Sequence, residues 1–129
     1  LYYLLAGLQA SGRSPSNPAA LIEFVQARQA PNGGFVDVRS ATAEPRDDAA
    51  HVAHTFQAVA ALKLLAVEIP NSAACRAFIH ACQSRDGGYL VRPGSEDGAD
   101  IYYTWCGLKT LGLLGEKPAR PAECSASVL

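Results

Sequence analysis

The sequence lacks the features that mark several classes of protein. It has no methionine, and no apolar run reaches the roughly 18 residues that a membrane span needs. Its eleven Lys and Arg residues are balanced by twelve Asp and Glu residues and form no basic cluster, which argues against nucleic-acid binding. Charged residues make up 18% of the 129 residues and hydrophobic residues 49%, so the chain is expected to fold as one domain rather than to be disordered.

The four cysteines form no C-x-x-C pair, which excludes a cysteine-based zinc finger. Cys75 and Cys82 would lie about 10 Å apart along one helix, beyond the reach of a disulfide. We therefore expect buried free thiols and a reducing compartment such as the cytoplasm. No signal-peptide pattern stands in the given residues, and Leu1 lies inside an apolar stretch, so we expect a fragment or a trimmed chain.

The chain contains an internal repeat. Residues 24–35 (FVQARQAPNGGF) match residues 78–89 (FIHACQSRDGGY) at an offset of 54, with five identities in twelve positions. A second block, HTFQAVAALKLL from His54, matches YTWCGLKTLGLL from Tyr103 at an offset of 49. The opening LAGLQASG aligns with the later LKTLGLLG, so the chain holds about two and a half repeat units.

Each unit is predicted to be a pair of antiparallel helices, because apolar residues recur at helical spacing between Pro and Gly signals. The predicted helices lie near 1–11, 18–30, 47–67, 71–84 and 99–115. Asn17 and Pro18 are expected to begin the second helix, and Asp47 and Asp48 to cap the third. Residues 1–115 are thus an all-α repeat domain, and residues 116–129 an irregular tail.

A glutamine, two glycines and an aromatic residue recur at the end of two predicted helices. We expect Gln29 and Gln83 to bond the backbone of the following turn, the glycines to adopt backbone conformations closed to other residues, and the aromatic residue to pack onto the next unit. This set is expected to be structural.

These blocks resemble the repeats of protein prenyltransferase β subunits and of their relatives, the squalene and hopene cyclases. The resemblance is carried by Cys82-Gln83, by Gly87-Gly88-Tyr89, and by residues 103–108, Tyr-Thr-Trp-Cys-Gly-Leu. It implies an α/α barrel, or toroid, in which an inner ring of helices lines an apolar cavity. Six helix pairs close that barrel, so this chain is expected to self-associate or to need another domain or subunit.

The resemblance also implies functional positions. Tyr103 and Cys106 match residues that face the cavity, Arg92 matches an arginine that binds diphosphate, and Asp100 and His54 match zinc ligands. The third zinc ligand, a cysteine, is replaced by a tyrosine at 102, which leaves the zinc set incomplete. No catalytic residue is assigned.

Alternatives remain open for each of these positions. Tyr102, Tyr103 and Trp105 suit an isoprenoid wall or an ordinary core. Arg92 is a diphosphate ligand or a solvated loop residue. His51 and His54 have the spacing of an acid–base or metal pair, or serve packing.

We expect the chain to be part of an isoprenoid-handling enzyme, acting by prenyl transfer from a prenyl diphosphate or by terpenoid cyclisation; a non-catalytic helical repeat module is the alternative. The acidic Asp-x-Asp-Asp motif of the cyclases lacks its first Asp here.

Overall fold

A computed structural model describes residues 10–12, 15–39 and 42–117 of the chain. Within these ranges the chain forms four α-helices and no strand. The helices are α1 (Pro18–Gln26), α2 (Val52–Leu64), α3 (Ser72–Cys82) and α4 (Ile101–Leu113), and a short 3₁₀ helix at Asp47–Ala49 precedes α2. The all-α prediction is confirmed, while the predicted helix at 1–11 lies almost wholly outside the described residues.

The helices form two pairs that meet side by side. α1 packs on α2, α3 packs on α4, and the largest helix contact joins α2 to α4. α2 and α4 run parallel, since His51 at the start of α2 contacts Tyr103, and Lys63 and Lys109 lie together near their carboxyl ends. Small residues on α2, such as Ala53 and Ala60, are buried in this contact and let the two helices approach closely.

Helix ends follow the expected local chemistry in three places. The Asn17 side chain accepts a hydrogen bond from Ala20 N, with Pro18 in the first helical position. Asp100 caps α4 by accepting from Tyr103 N at 2.7 Å. At the other end of α4, Gly115 has a φ of 76°, and Glu116 N donates to Leu111 O, which closes a Schellman motif.

The predicted start of the third helix at residue 47 is wrong. The 3₁₀ turn ends at Ala49, Ala50 is extended, and α2 begins only at Val52. Asp47 does not cap α2, because its carboxylate accepts from Asn32 N at 2.8 Å and so fastens the preceding turn. The cap is His51, whose Nδ1 accepts from Ala53 N at 3.0 Å.

Two buried clusters form the core, and each draws residues from both helix pairs. The first surrounds Phe35, Val25 and Leu62, and the second surrounds Tyr89, Phe78 and Cys106. Since Phe35 and Tyr89 are equivalent residues of the two units, the core repeats with the sequence. No helix within the described ranges is long and apolar enough to cross a membrane.

Candidate functional site

The Gln-Gly-Gly-aromatic sets form two equivalent turns that project loops toward α2. Gln29 and Gln83 each donate from Nε2 to the backbone oxygen of the first glycine of the pair, at 3.1 and 2.9 Å. That glycine has a φ of 91° in the first turn and 95° in the second, a conformation that favours glycine. The predicted structural role of these sets is confirmed.

A threonine that the sequence analysis missed locks each turn to the following helix. The hydroxyl of Thr55 accepts from Phe35 N at 2.9 Å, and the hydroxyl of Thr104 accepts from Tyr89 N at 3.0 Å. The two threonines occupy the same position of the second block, directly after His54 and Tyr103. The repeated threonine was visible in the sequence, but its role as a hydrogen-bond acceptor became clear only from where the structure places the turn.

Two loops from different repeat units converge on the first residues of α2. His51 N donates to Phe35 O at 3.1 Å, and Val52 N donates to Val91 O at 2.8 Å. The first bond holds the loop that carries Asp37 and Arg39, and the second holds the loop that carries Arg92. Polar side chains from both units are therefore gathered at one end of the α2–α4 pair.

The gathered side chains form a basic cluster with one carboxylate, which we call the α2 cluster: Asp37, Arg39, His51, His54, Arg92 and Tyr103. The rings of the two histidines lie 4.6 Å apart, and the tyrosine ring meets that of His51 edge-on at 5.4 Å. Arg39 pairs with Asp37 through two hydrogen bonds of 3.0 and 3.3 Å, which lower the pKa of the carboxyl group.

Burial and neighbouring cations keep both histidines neutral near pH 7. Burial, with smaller effects of His54 and Arg92, lowers the pKa of His51 to about 4. The pKa of His54 is also lowered, chiefly by burial, although Asp37 opposes the shift. Among the described residues, His54 Nδ1 and Arg92 Nε are buried without a hydrogen-bond partner. The α2 cluster therefore offers unused polar nitrogens beside a permanent positive charge.

The structure brings only some of the predicted substrate residues together. Tyr103 is half-buried in the α2 cluster and its ring lies 5.9 Å from the exposed ring of Tyr102, whereas the exposed Trp105 packs on Phe56 instead. Cys106 was expected on an open inner face, and this is wrong: the side chain is fully buried in the cluster around Tyr89. Burial raises the pKa of the Cys106 thiol to about 11, so it is not a thiolate at neutral pH.

The two predicted zinc residues, Asp100 and His54, have different surroundings. The Asp100 carboxylate caps α4, and the charges that act on the pKa of His54 come from Asp37, Arg39 and Arg92 rather than from Asp100. In the part of the chain that the structure describes, no three His, Cys, Asp or Glu side chains gather as a metal site. The described residues therefore do not fit a complete zinc site, and His54 and Asp100 stay predictions as metal ligands.

Comparison with known proteins agrees with this architecture. Residues 1–127 match the family described as the prenyltransferase alpha-alpha toroid domain. The chain is 31% identical over 112 residues to a protein of Arabidopsis thaliana named geranylgeranyl transferase type-1 subunit beta. That match covers 86% of this chain and 28% of the relative. With its helix pairs, its repeated Gly-Gly turns and this match over nearly its whole length, the chain belongs to the prenyltransferase alpha-alpha toroid family.

Proposed function

We propose that this chain is part of an enzyme that transfers a prenyl group from a prenyl diphosphate to a protein, and that the α2 cluster contributes to its diphosphate site. The position of Arg92 carries the proposal. Its loop is fixed on α2 by the Val52–Val91 hydrogen bond, and its buried Nε has no hydrogen-bond partner among the described residues. A guanidinium presents parallel N–H donors that match the oxygens of a phosphate group.

Within the α2 cluster, charge pairing leaves Arg92 as the cation suited to this task. Arg39 is paired with Asp37, and Arg46 is paired with Asp48, whereas Arg92 makes no ion pair within the described part of the chain. Prenyl transfer breaks the bond between the prenyl carbon and a diphosphate oxygen, so negative charge grows on the leaving group. A fixed guanidinium at that place would stabilise the transition state.

The other members of the α2 cluster are suited to orient the ligand. The neutral rings of His51 and His54 add polar nitrogens, and Tyr103 provides an aromatic edge where a hydrocarbon chain would leave the diphosphate. The name of the Arabidopsis relative favours a geranylgeranyl group. Because that relative is one subunit of a transferase, we also propose a second subunit as the partner of this chain.

Calorimetric titration of the protein with geranylgeranyl diphosphate tests the proposal. Farnesyl diphosphate and inorganic pyrophosphate form parallel arms, and each is run with and without zinc. Hydrogen bonds to a charged group contribute about 1.5–3 kcal/mol, so Arg92→Ala should weaken diphosphate binding about tenfold or more. Arg85→Ala is the matched control, because Arg85 is an exposed arginine in the preceding turn.

The outcomes separate the candidate functions. Equal binding by wild type and Arg92→Ala would contradict the proposed site, and a tightening by zinc that His54→Ala abolishes would support His54 as a ligand. No binding in any arm, by protein shown to be helical by circular dichroism, would favour a non-catalytic repeat module. Protonation-driven terpenoid cyclisation is less well supported, since the carboxylates of Asp47 and Asp48 are engaged by Asn32 and Arg46.

A further inference from the structure

Arg39 is the second arginine of the α2 cluster, and Asp37 fixes its orientation. The carboxylate accepts hydrogen bonds from Arg39 N at 2.9 Å, from Nε at 3.0 Å and from Nη2 at 3.3 Å. The side-chain bonds use one edge of the planar guanidinium, so its other end, formed by Nη1 and the second Nη2 hydrogen, points away from the carboxylate. The ion pair therefore holds Arg39 in place and still leaves it two N–H donors for an anion.

The exposure of this ion pair indicates that its main effect is on position rather than on stability. The Arg39 side chain is 69% exposed and that of Asp37 is 31% exposed. Exposed ion pairs contribute little to stability, because water screens them. What the pair does is to keep an arginine on the rim of the α2 cluster, with its outer end open to a ligand.

The two arginines of the α2 cluster lie at opposite ends of the histidine pair. Burial is the largest cause of the lowered pKa of both rings, and the charge of Arg92 adds to it at both. The charge of Arg39 adds to it at His54. The two rings are 4.6 Å apart, and Tyr103 contacts the ring of His51. Arg92 therefore lies toward the tyrosine, and Arg39 lies toward the far end of the pair.

Depth orders the two arginines in the same way. Arg92 is half-buried with its Nε fully buried, whereas Arg39 is exposed. A prenyl diphosphate has two phosphoryl groups joined through one oxygen, and the inner group carries the prenyl chain. When that chain leaves the site beside Tyr103, the inner phosphoryl group meets Arg92 and the outer group reaches the rim where Arg39 is held.

We propose that Arg39, held by Asp37, is a second phosphate ligand that binds the outer phosphoryl group of a prenyl diphosphate. Each repeat unit then supplies one arginine, and the two grip the diphosphate across the start of α2. This inference rests on the diphosphate site proposed above and adds a specificity to it. A prenyl monophosphate has no outer phosphoryl group, so it meets Arg92 alone and binds more weakly.

Calorimetric titration with geranylgeranyl diphosphate and with geranylgeranyl monophosphate tests this specificity. Arg39→Ala should weaken binding of the diphosphate about tenfold, because a charge-assisted contact is lost, and should leave binding of the monophosphate nearly unchanged. Arg92→Ala should weaken binding of both ligands. Arg46→Ala is the matched control and should change neither affinity, because Arg46 is paired with Asp48 through the same kind of bonds, both 3.0 Å, outside the α2 cluster.

A double variant separates a phosphate ligand from a residue that only neutralises Asp37. Arg39→Ala leaves the carboxylate unpaired beside the ligand, and its repulsion weakens binding even without any contact between Arg39 and a phosphate. Combining Asp37→Ala with Arg39→Ala removes that repulsion and should recover only part of the affinity, because the N–H donors are still missing. Recovery of the full wild-type affinity for the diphosphate would overturn the proposal.

The remaining outcomes distinguish this inference from the proposed function. Weaker binding by Arg92→Ala with unchanged binding by Arg39→Ala would leave the diphosphate site standing and overturn the second ligand. An equal loss of both ligands on Arg39→Ala would also overturn it, since general attraction rather than contact with the outer phosphoryl group would then be the cause. Absence of binding of either ligand, by wild-type protein shown to be helical by circular dichroism, would overturn both proposals.

Discussion

Gly107→Ala tests whether α4 packs against Tyr89 at backbone distance. A Cβ atom at Gly107 would lie 2.5 Å from Cδ2 and 2.7 Å from Cγ of the Tyr89 ring. Comfortable carbon contacts are about 3.5–4.0 Å, so the ring or the helix must move by about 1 Å. Tyr89 is fully buried, which leaves its ring no open space to move into.

Gly112, five residues further along the same helix, provides the matched control. A Cβ atom there would meet nothing within 4 Å. Alanine is about 1 kcal/mol more favourable than glycine inside a helix, and we expect Gly112→Ala to raise the free energy of unfolding by about 0.5–1 kcal/mol. At Gly107 an overpacking cost of about 1–3 kcal/mol opposes that gain, so the variant should lose up to about 2 kcal/mol.

Urea unfolding followed by circular dichroism measures both variants, and the two midpoints should move in opposite directions. Combining Gly107→Ala with Tyr89→Leu should remove most of the penalty relative to Tyr89→Leu alone, because the aromatic carbons that clash are gone. Equal stability of Gly107→Ala and Gly112→Ala would refute the claimed backbone contact.

Three further predictions concern the turns, α2 and the thiols. Thr104→Val should lower the free energy of unfolding by about 1–3 kcal/mol, because it leaves Tyr89 N–H buried and unbonded; Thr104→Ser should be nearly neutral in the same denaturation assay. The pKa of His51 is about 4 in the folded chain against 6.5 when unfolded, so its stabilising contribution is complete above pH 6.5 and decreases as pH falls toward 4. His51→Asn keeps a capping side chain and should reduce that pH dependence in thermal unfolding, and an unchanged pH profile would contradict the assignment. Iodoacetamide at pH 8 should label the buried thiols of Cys75, Cys82 and Cys106 only on unfolding, because burial raises their pKa values to about 11 or 12. Mass spectrometry detects the labelling, and rapid labelling of any of these thiols in the folded protein would contradict the prediction.

The repeat made the architecture predictable from sequence. A single sequence contains residue spacing and local chemistry, and these are enough to predict the helix pairs, the Gly-Gly turns and the capping by Asn17. The role of Asp47 could not be read in this way, because its partner is the backbone of Asn32 in another segment. The position of Asp47 in the sequence favoured a cap for α2, but its hydrogen bond to a different segment gives it another role.

The site was predicted less well for the same reason. The resemblance named Arg92 and Tyr103 as site positions, and in the structure the loop of Arg92 and the ring of Tyr103 both meet the start of α2, while their roles in binding stay predictions. It gave no sign that Asp37 joins them, because that residue belongs to the other unit and approaches only through the shared start of α2. Burial of Cys106 likewise depends on how closely α4 approaches Tyr89.

The two hydrogen bonds at the start of α2 also bear on how the chain unfolds. Repeat arrays can open unit by unit when each unit satisfies its own backbone groups. Here the N–H of His51 is bonded within its own unit, and the adjacent N–H of Val52 is bonded to Val91 in the next unit. Releasing the second unit would break this bond and expose to water the Val52 amide, which the intact structure buries against that unit. Amide hydrogen exchange at Val52 should therefore report opening of the second unit rather than fraying of α2. The exchange rate of this one amide then measures how strongly the unfolding of the two units is coupled.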